Sequence, residues 1–133
     1  MRNMSFFLTT HQFLDGRKTV TRRLGWKTLR VGDLVRAVYK GQGIRMGSII
    51  SPIGIIRIKS IRSEPLNVIP ADDCAREGFP KYSPQEFVTM FCREMRCAPD
   101  VIVQRIEFER LRVRDEIVGY NEYDRTYQQV LAI

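Results

Sequence analysis

The 133-residue chain can bury one hydrophobic core but is too short for two ordinary domains, and 44% hydrophobic with 28% charged residues excludes a disordered protein. Its net charge of +7 is unevenly spread: residues 1–62 carry 13 Lys or Arg against Asp15 and Asp33, whereas residues 63–133 carry 9 against 13 acids. A basic first half favours a polyanionic partner and says nothing of sequence specificity. Cys74, Cys92, Cys97 and the lone His11 lack the spacing of a zinc site, so neither metal nor cofactor is expected. Phe6-Phe7-Leu8 is too short an apolar run for a leader or a membrane span, and a reducing cytoplasm is the expected location.

In chain order, Ser5–Leu8 reads as a first strand. Thr9 or Thr10 then caps a brief helical turn that carries Phe13 and Leu14 and ends at Gly16. The next stretch, Gly16-Arg17-Lys18-Thr19-Val20-Thr21-Arg22-Arg23, packs four cations and two hydroxyls into eight residues, a composition that no apolar core requires. It is either a solvated basic turn and strand or a patch that faces an anionic partner. Gly25-Trp26 bends the chain, and Val31-Gly32-Asp33 turns into a strand over Leu34–Tyr39. Gly41, Gly43 and Gly47 mark a loose hairpin region without the pattern of a phosphate-binding loop.

Ile49–Ile61 predicts a half-buried strand with Arg57 and Lys59 on one face and Ile56 and Ile58 on the other. Pro52 places its beginning at an edge or bulge, and Pro65 ends the element. Asp72–Glu77 reads as a short acidic helix closed by Gly78. Ser83-Pro84-Gln85-Glu86 is a capping box with Pro at the first helical position, and Phe87, Met90, Phe91 and Met95 make the buried stripe of the helix it starts. Val101–Leu111 alternates as a strand: Val101, Val103 and Arg105 on one face, Ile102, Ile106 and Phe108 on the other, with Glu107 and Glu109 exposed. Residues 112–133 form an extension that docks on the body, pairs as a further strand or meets a partner subunit. Strands, a helical interruption and strands again predict a mainly β, α+β fold: a small β-barrel with packed helices, over residues 1–111.

Lys18, Thr21 and Glu77 are the polar residues with chemistry to offer. A lysine amine beside a carboxylate in a partly apolar cleft orients a substrate or exchanges a proton. A threonine hydroxyl attacks a carbonyl only with a base in reach. Lys18 and Thr21 point to opposite faces of a regular strand, so joint action requires the backbone to leave strand geometry near Thr19-Val20.

The Gly16–Arg23 run, followed by Gly25-Trp26 and Val31-Gly32-Asp33, resembles the ASCH domain. So do Cys74-Ala75-Arg76-Glu77-Gly78-Phe79 and Ser83-Pro84-Gln85-Glu86-Phe87, as in its phage-like branch, and the likeness covers roughly residues 4–110. The resemblance implies a PUA-like β-barrel whose cleft is lined by the basic segment and the helical region, and a link to RNA and modified-nucleoside recognition. One small bacterial branch hydrolyses the amide of N4-acetylcytidine with a Lys, a Thr and a Glu. Carried over, these fall on Lys18 as base, Thr21 as nucleophile and Glu77 as proton donor. This chain is longer than those hydrolases and has Arg22-Arg23 where they place an apolar residue before the Arg.

The sequence thus predicts a Lys18–Thr21–Glu77 cleft that binds single-stranded RNA or a modified nucleoside, with Arg17, Arg22, Arg23, Lys27 and Arg30 contacting the nucleic-acid backbone. An amidohydrolase using the same cleft, and an accessory protein acting through protein contacts, are the alternatives. The extension leaves room for an oligomer.

Overall fold

The structure, a computed structural model, describes residues 1–39 and 52–113. The expected hairpin at Gly41–Gly47, the beginning of the strand at Ile49 and the extension beyond Val113 lie outside the described residues. The chain runs β1 (Asn3–Ser5), a 3-10 turn (Phe7–Thr9), α1 (Thr10–Leu14), β2 (Val20–Arg23), β3 (Leu34–Val38), β4 (Pro52–Pro65), a second 3-10 turn (Leu66–Val68), α2 (Ala71–Arg76), α3 (Pro84–Met95) and β5 (Ile102–Val113). The strands form one mixed sheet, ordered β1-β3-β4-β5-β2 and curled into a half-barrel. Among the described residues only β1 and β3 pair in parallel. The α+β, PUA-like expectation is met in this half-barrel form.

Alternation explains which face of each strand is inside. In β4, Ile56 and Ile58 are buried while Arg57 and Lys59 are exposed, as their spacing predicts. The register shifts between Ala37 and Val38, where Pro52 opens β4, so the expected edge or bulge is present. Phe6, Phe13, Val35, Ile56, Ile58, Ile106 and Phe108 fill the half-barrel. The Phe6 and Phe13 rings lie 4.9 Å apart. Gly54 makes this packing possible: a Cβ there would sit 2.3 Å from the Arg112 carbonyl oxygen and 3.0 Å from the Phe13 ring.

A second apolar cluster joins Leu66, Cys74, Phe79, Phe87, Met90, Phe91 and Val103, so α2 and α3 cover part of β5. Side chains alternate along a strand, and β5 therefore serves both clusters: Val103 points to the helices, Ile106 and Phe108 into the half-barrel. The capping box of α3 is complete. Glu86 N donates to Ser83 Oγ at 3.1 Å, and Ser83 N donates to Glu86 Oε1 at 3.0 Å. Helix α2 ends as the sequence predicts, with Gly78 at φ +104° and Phe79 N donating to Cys74 O.

Several expectations are corrected. The first strand lies at Asn3–Ser5, and Phe7–Thr9 is helical, since the chain must turn there for Phe6 and Phe13 to enter one core. Thr9 makes no side-chain cap; Thr10 Oγ1 instead donates to the Phe6 carbonyl at 2.7 Å. Met95 is 42% exposed, because the last turn of α3 leaves the apolar cluster. Ile102 is 57% exposed, because the half-barrel core begins on that face of β5 only at Ile106. Among the described residues no helix is long and apolar enough to cross a membrane.

Candidate functional site

The basic run is held between α1, α2 and β5 before it becomes a strand. Lys18 N donates to Gln12 O, Thr19 N donates to Arg76 O, and Phe108 N donates to Thr19 O. Regular β2 starts only at Val20, so the backbone departs from strand geometry where a shared role for Lys18 and Thr21 requires it. Glu77 reaches the same place from the C-cap of α2. Lys18 Nζ donates to both the Glu77 backbone oxygen and Oε1, each at 2.8 Å.

The other carboxylate oxygen of Glu77 accepts from Arg22 Nη1 at 3.1 Å. Arg22 also binds Asp73 through Nη2 and lies 3.5 Å from Glu64. Asp73 in turn accepts two bonds from Arg105, 2.8 Å from Nε and 3.0 Å from Nη2. These side chains sit inside the protein, where an ion needs a counter-ion and hydrogen bonds to offset lost hydration. Burial lowers the Lys18 pKa against the attraction of Glu77. At Asp73 burial acts upward, but the hydrogen bonds from Arg105 and Arg22 hold the carboxyl well below the usual carboxylate range.

Strand parity separates Arg22 from Arg23. Arg22 lies opposite Arg105, and Thr21 lies opposite Ile106. Arg23 shares the face of Thr21: its Nε donates to Thr21 Oγ1 at 3.0 Å, and its guanidinium carbon stands 5.0 Å from the centre of the Phe6 ring. Burial brings the Arg23 pKa down to about 10, with Glu77 acting in the opposite direction.

Lys18, Thr21, Arg22, Arg23 and Glu77 line a cavity of ≈ 510 Å³ whose other walls include Phe6, Phe79, Phe87, Met90 and Phe91. Aromatic and thioether walls beside a few fixed polar groups suit a flat, partly polar ligand. The arrangement offers proton exchange between Lys18 and Glu77. Neither of the Lys18 Nζ bonds goes to Thr21, whose hydroxyl accepts from Arg23. Among the described residues no group of three or more His, Cys, Asp or Glu is placed to hold a metal ion.

The structure thus brings Lys18, Thr21 and Glu77 to one cavity, together with Arg22 and Arg23. Arg22 does not have the position of a phosphate contact: its side chain is 0% exposed, and its guanidinium ties β2 to carboxylates on α2 and β4. Arg17 is exposed and paired with Asp15 at 2.8 Å. Lys27 and Arg30 are exposed and outside the cavity lining. Asp73 and Arg105 join the site as partners not expected from the sequence, and Phe87, Met90 and Phe91, which the helical stripe places in the core, are both core and wall. Arg105 carried a signal, because a cation in register with Val101 and Val103 on a covered strand face requires a buried carboxylate.

No family model matches the chain, and no curated protein matches it. Solved structures do. Protein EF3133 from Enterococcus faecalis V583, of the DUF984 family, is 20% identical with a TM-score of 0.56, over 80% of this chain and 72% of that one. The ASCH domain from Lactobacillus crispatus JV V101 is 17% identical with a TM-score of 0.53, over 84% and 80%. ASCH from Zymomonas mobilis is 12% identical with a TM-score of 0.51, over 96% and 92%. With a mixed half-barrel, helices packed on β5 and matches that span most of each chain, this protein has the fold of the ASCH domains.

Proposed function

We propose that the cavity binds a base of single-stranded RNA or a modified nucleoside. One observation carries this reading: aromatic and methionine walls enclose a floor of buried donors and acceptors already fixed by Glu77, Asp73 and Arg105. Stacking on the walls supplies affinity for any base, and the fixed polar groups on the floor select among base edges. Exposed Arg17, Lys27 and Arg30 add attraction to the chain's phosphates. The ASCH fold supports the reading, and the order of the Cys74–Phe79 and Ser83–Phe87 segments supports the phage-like branch. A hydrolase of N4-acylated cytidine is the second reading, favoured by an amine with a lowered pKa in the same cavity as a threonine hydroxyl. Binding without turnover is preferred, because Lys18 spends its bonds on Glu77 and none on Thr21.

The test titrates labelled single-stranded RNA and N4-acetylcytidine while acetate release is followed in parallel. Saturable binding that Lys18→Met weakens about tenfold or more, without acetate release, is the expected result. Acetate release abolished by Thr21→Ala would replace binding by hydrolysis. Failure of both ligands to bind would overturn both readings.

A further inference from the structure

Resting on the nucleoside reading, we propose that the cavity takes a phosphorylated nucleotide unit, with Arg23 gripping a phosphate oxyanion inside the cavity. The charges at and beneath the floor do not balance. Lys18, Arg22, Arg23 and Arg105 face the carboxylates of Glu64, Asp73 and Glu77, so the cations outnumber their counter-ions by one. Glu64 is shared with the exposed Arg62, and Glu94, also on the lining, is paired with Arg93. Glu107, which also attracts Arg105, is paired with Arg76 and Lys59, so none of the three relieves the surplus.

The surplus falls on Arg23. Glu77 has one oxygen bonded to Lys18 and the other to Arg22, and both Asp73 oxygens are taken by Arg105 and Arg22. Arg23 donates Nε to Thr21, and its two terminal nitrogens, to which no described residue is bonded, open to solvent in the half-buried part of the cavity. Among the described residues the buried side-chain nitrogen without a partner is instead Arg22 Nε. Loss of a proton from Lys18 would balance the charge but leave the terminal nitrogens of Arg23 to water alone. The side chain is fixed at both levels, by Thr21 at Nε and by the Phe6 ring beneath the guanidinium. A planar fork, already oriented and charged, matches two oxygens of a phosphate. A neutral base edge would meet the fork and leave the charge uncompensated. Phosphate and base therefore bind within one cavity.

Calorimetry on the full chain tests this with the four ribonucleosides, their 5′-monophosphates, dinucleoside monophosphates and inorganic phosphate. The expected result is at least about tenfold tighter binding of a phosphorylated ligand than of its nucleoside, a preference that falls below about twofold in Arg23→Gln. Arg23→Lys keeps the charge without the fork and should recover part of the preference. Arg57→Gln, an exposed cation outside the cavity, should keep all of it. Tighter binding of the monophosphate assigns the oxyanion to a chain end, and tighter binding of the dinucleoside assigns it to a chain interior; both support the proposal. Nucleosides that bind as well as nucleotides would overturn the oxyanion grip and leave the base reading standing. Inorganic phosphate bound through Arg23, with no nucleotide bound more tightly, would support the grip and overturn the base reading. A nucleotide preference unchanged in both Arg23 variants would overturn the role of Arg23.

Discussion

On β5, Ile106 and Phe108 belong to the apolar half-barrel, while Arg105 beside them belongs to the group of charges under the cavity. The two regions are adjacent in sequence and opposite in character. In the half-barrel, Phe6, Phe13, Ile56 and Ile58 attract through buried area, which has no required direction and is lost in proportion to what is removed. In the charged group each member has particular partners: Glu77 serves Lys18 and Arg22, and Asp73 serves Arg22 and Arg105. Removing one member leaves another as a buried ion without its counter-ion. The more polar side of the molecule is thus the less forgiving one, and its demand for exact partners holds the cavity floor in place.

The sharpest way to break this contrast is Asp73→Ala, which leaves Arg22 and Arg105 facing each other. It should cost about 3–5 kcal/mol, read from urea unfolding at neutral pH. The depressed Asp73 pKa adds a pH signature. Its stabilisation is fully present above the ordinary value of 3.8 and is lost as the pH falls through the native-state value, so the variant should be less acid-sensitive than the parent. A variant as stable as the parent at neutral pH would show that the charges are not coupled as drawn. Ile56→Val removes one methylene from the half-barrel and should cost about 0.5–1.5 kcal/mol in the same experiment. Smallest is Arg57→Ala. The Arg57–Glu109 pair spans 2.9 Å, but its side chains are 50% and 43% exposed, so the loss should stay within about 1 kcal/mol and vanish in high salt. An Arg57 effect larger than that of Asp73 would reverse the comparison.

What could be read from the residues follows from how local each determinant is. The α3 start needs only Ser83, Pro84 and Glu86, and the end of α2 needs only Gly78; both stand where the sequence predicts them. The faces of β4 follow from alternating Ile and cations around Arg57. The misreadings arise where tertiary contacts decide. The Arg22-Arg23 pair looks like one basic patch, yet strand parity sends Arg22 toward Asp73 and Glu77 and Arg23 toward Thr21 and Phe6. Ile102 looks like a core residue because β5 alternates, but no layer covers that face at that point. The partnership of Asp73 with Arg105 spans 32 positions, and no local pattern encodes it.

The double duty of β5 bears on how the molecule opens. Over Gln104–Glu107 the strand is paired with β2 on one side and β4 on the other, while its two faces are held by different clusters. Detaching it would break both ladders, strip Val103 from the helices and expose Ile106 and Phe108 in the same event. Neither the helical layer nor the half-barrel can then melt alone while the other survives, which makes unfolding a single cooperative step. The central amide hydrogens of β5 are therefore released to solvent only by global opening, whereas short β1, which among the described residues is paired on one edge alone, can fray without it.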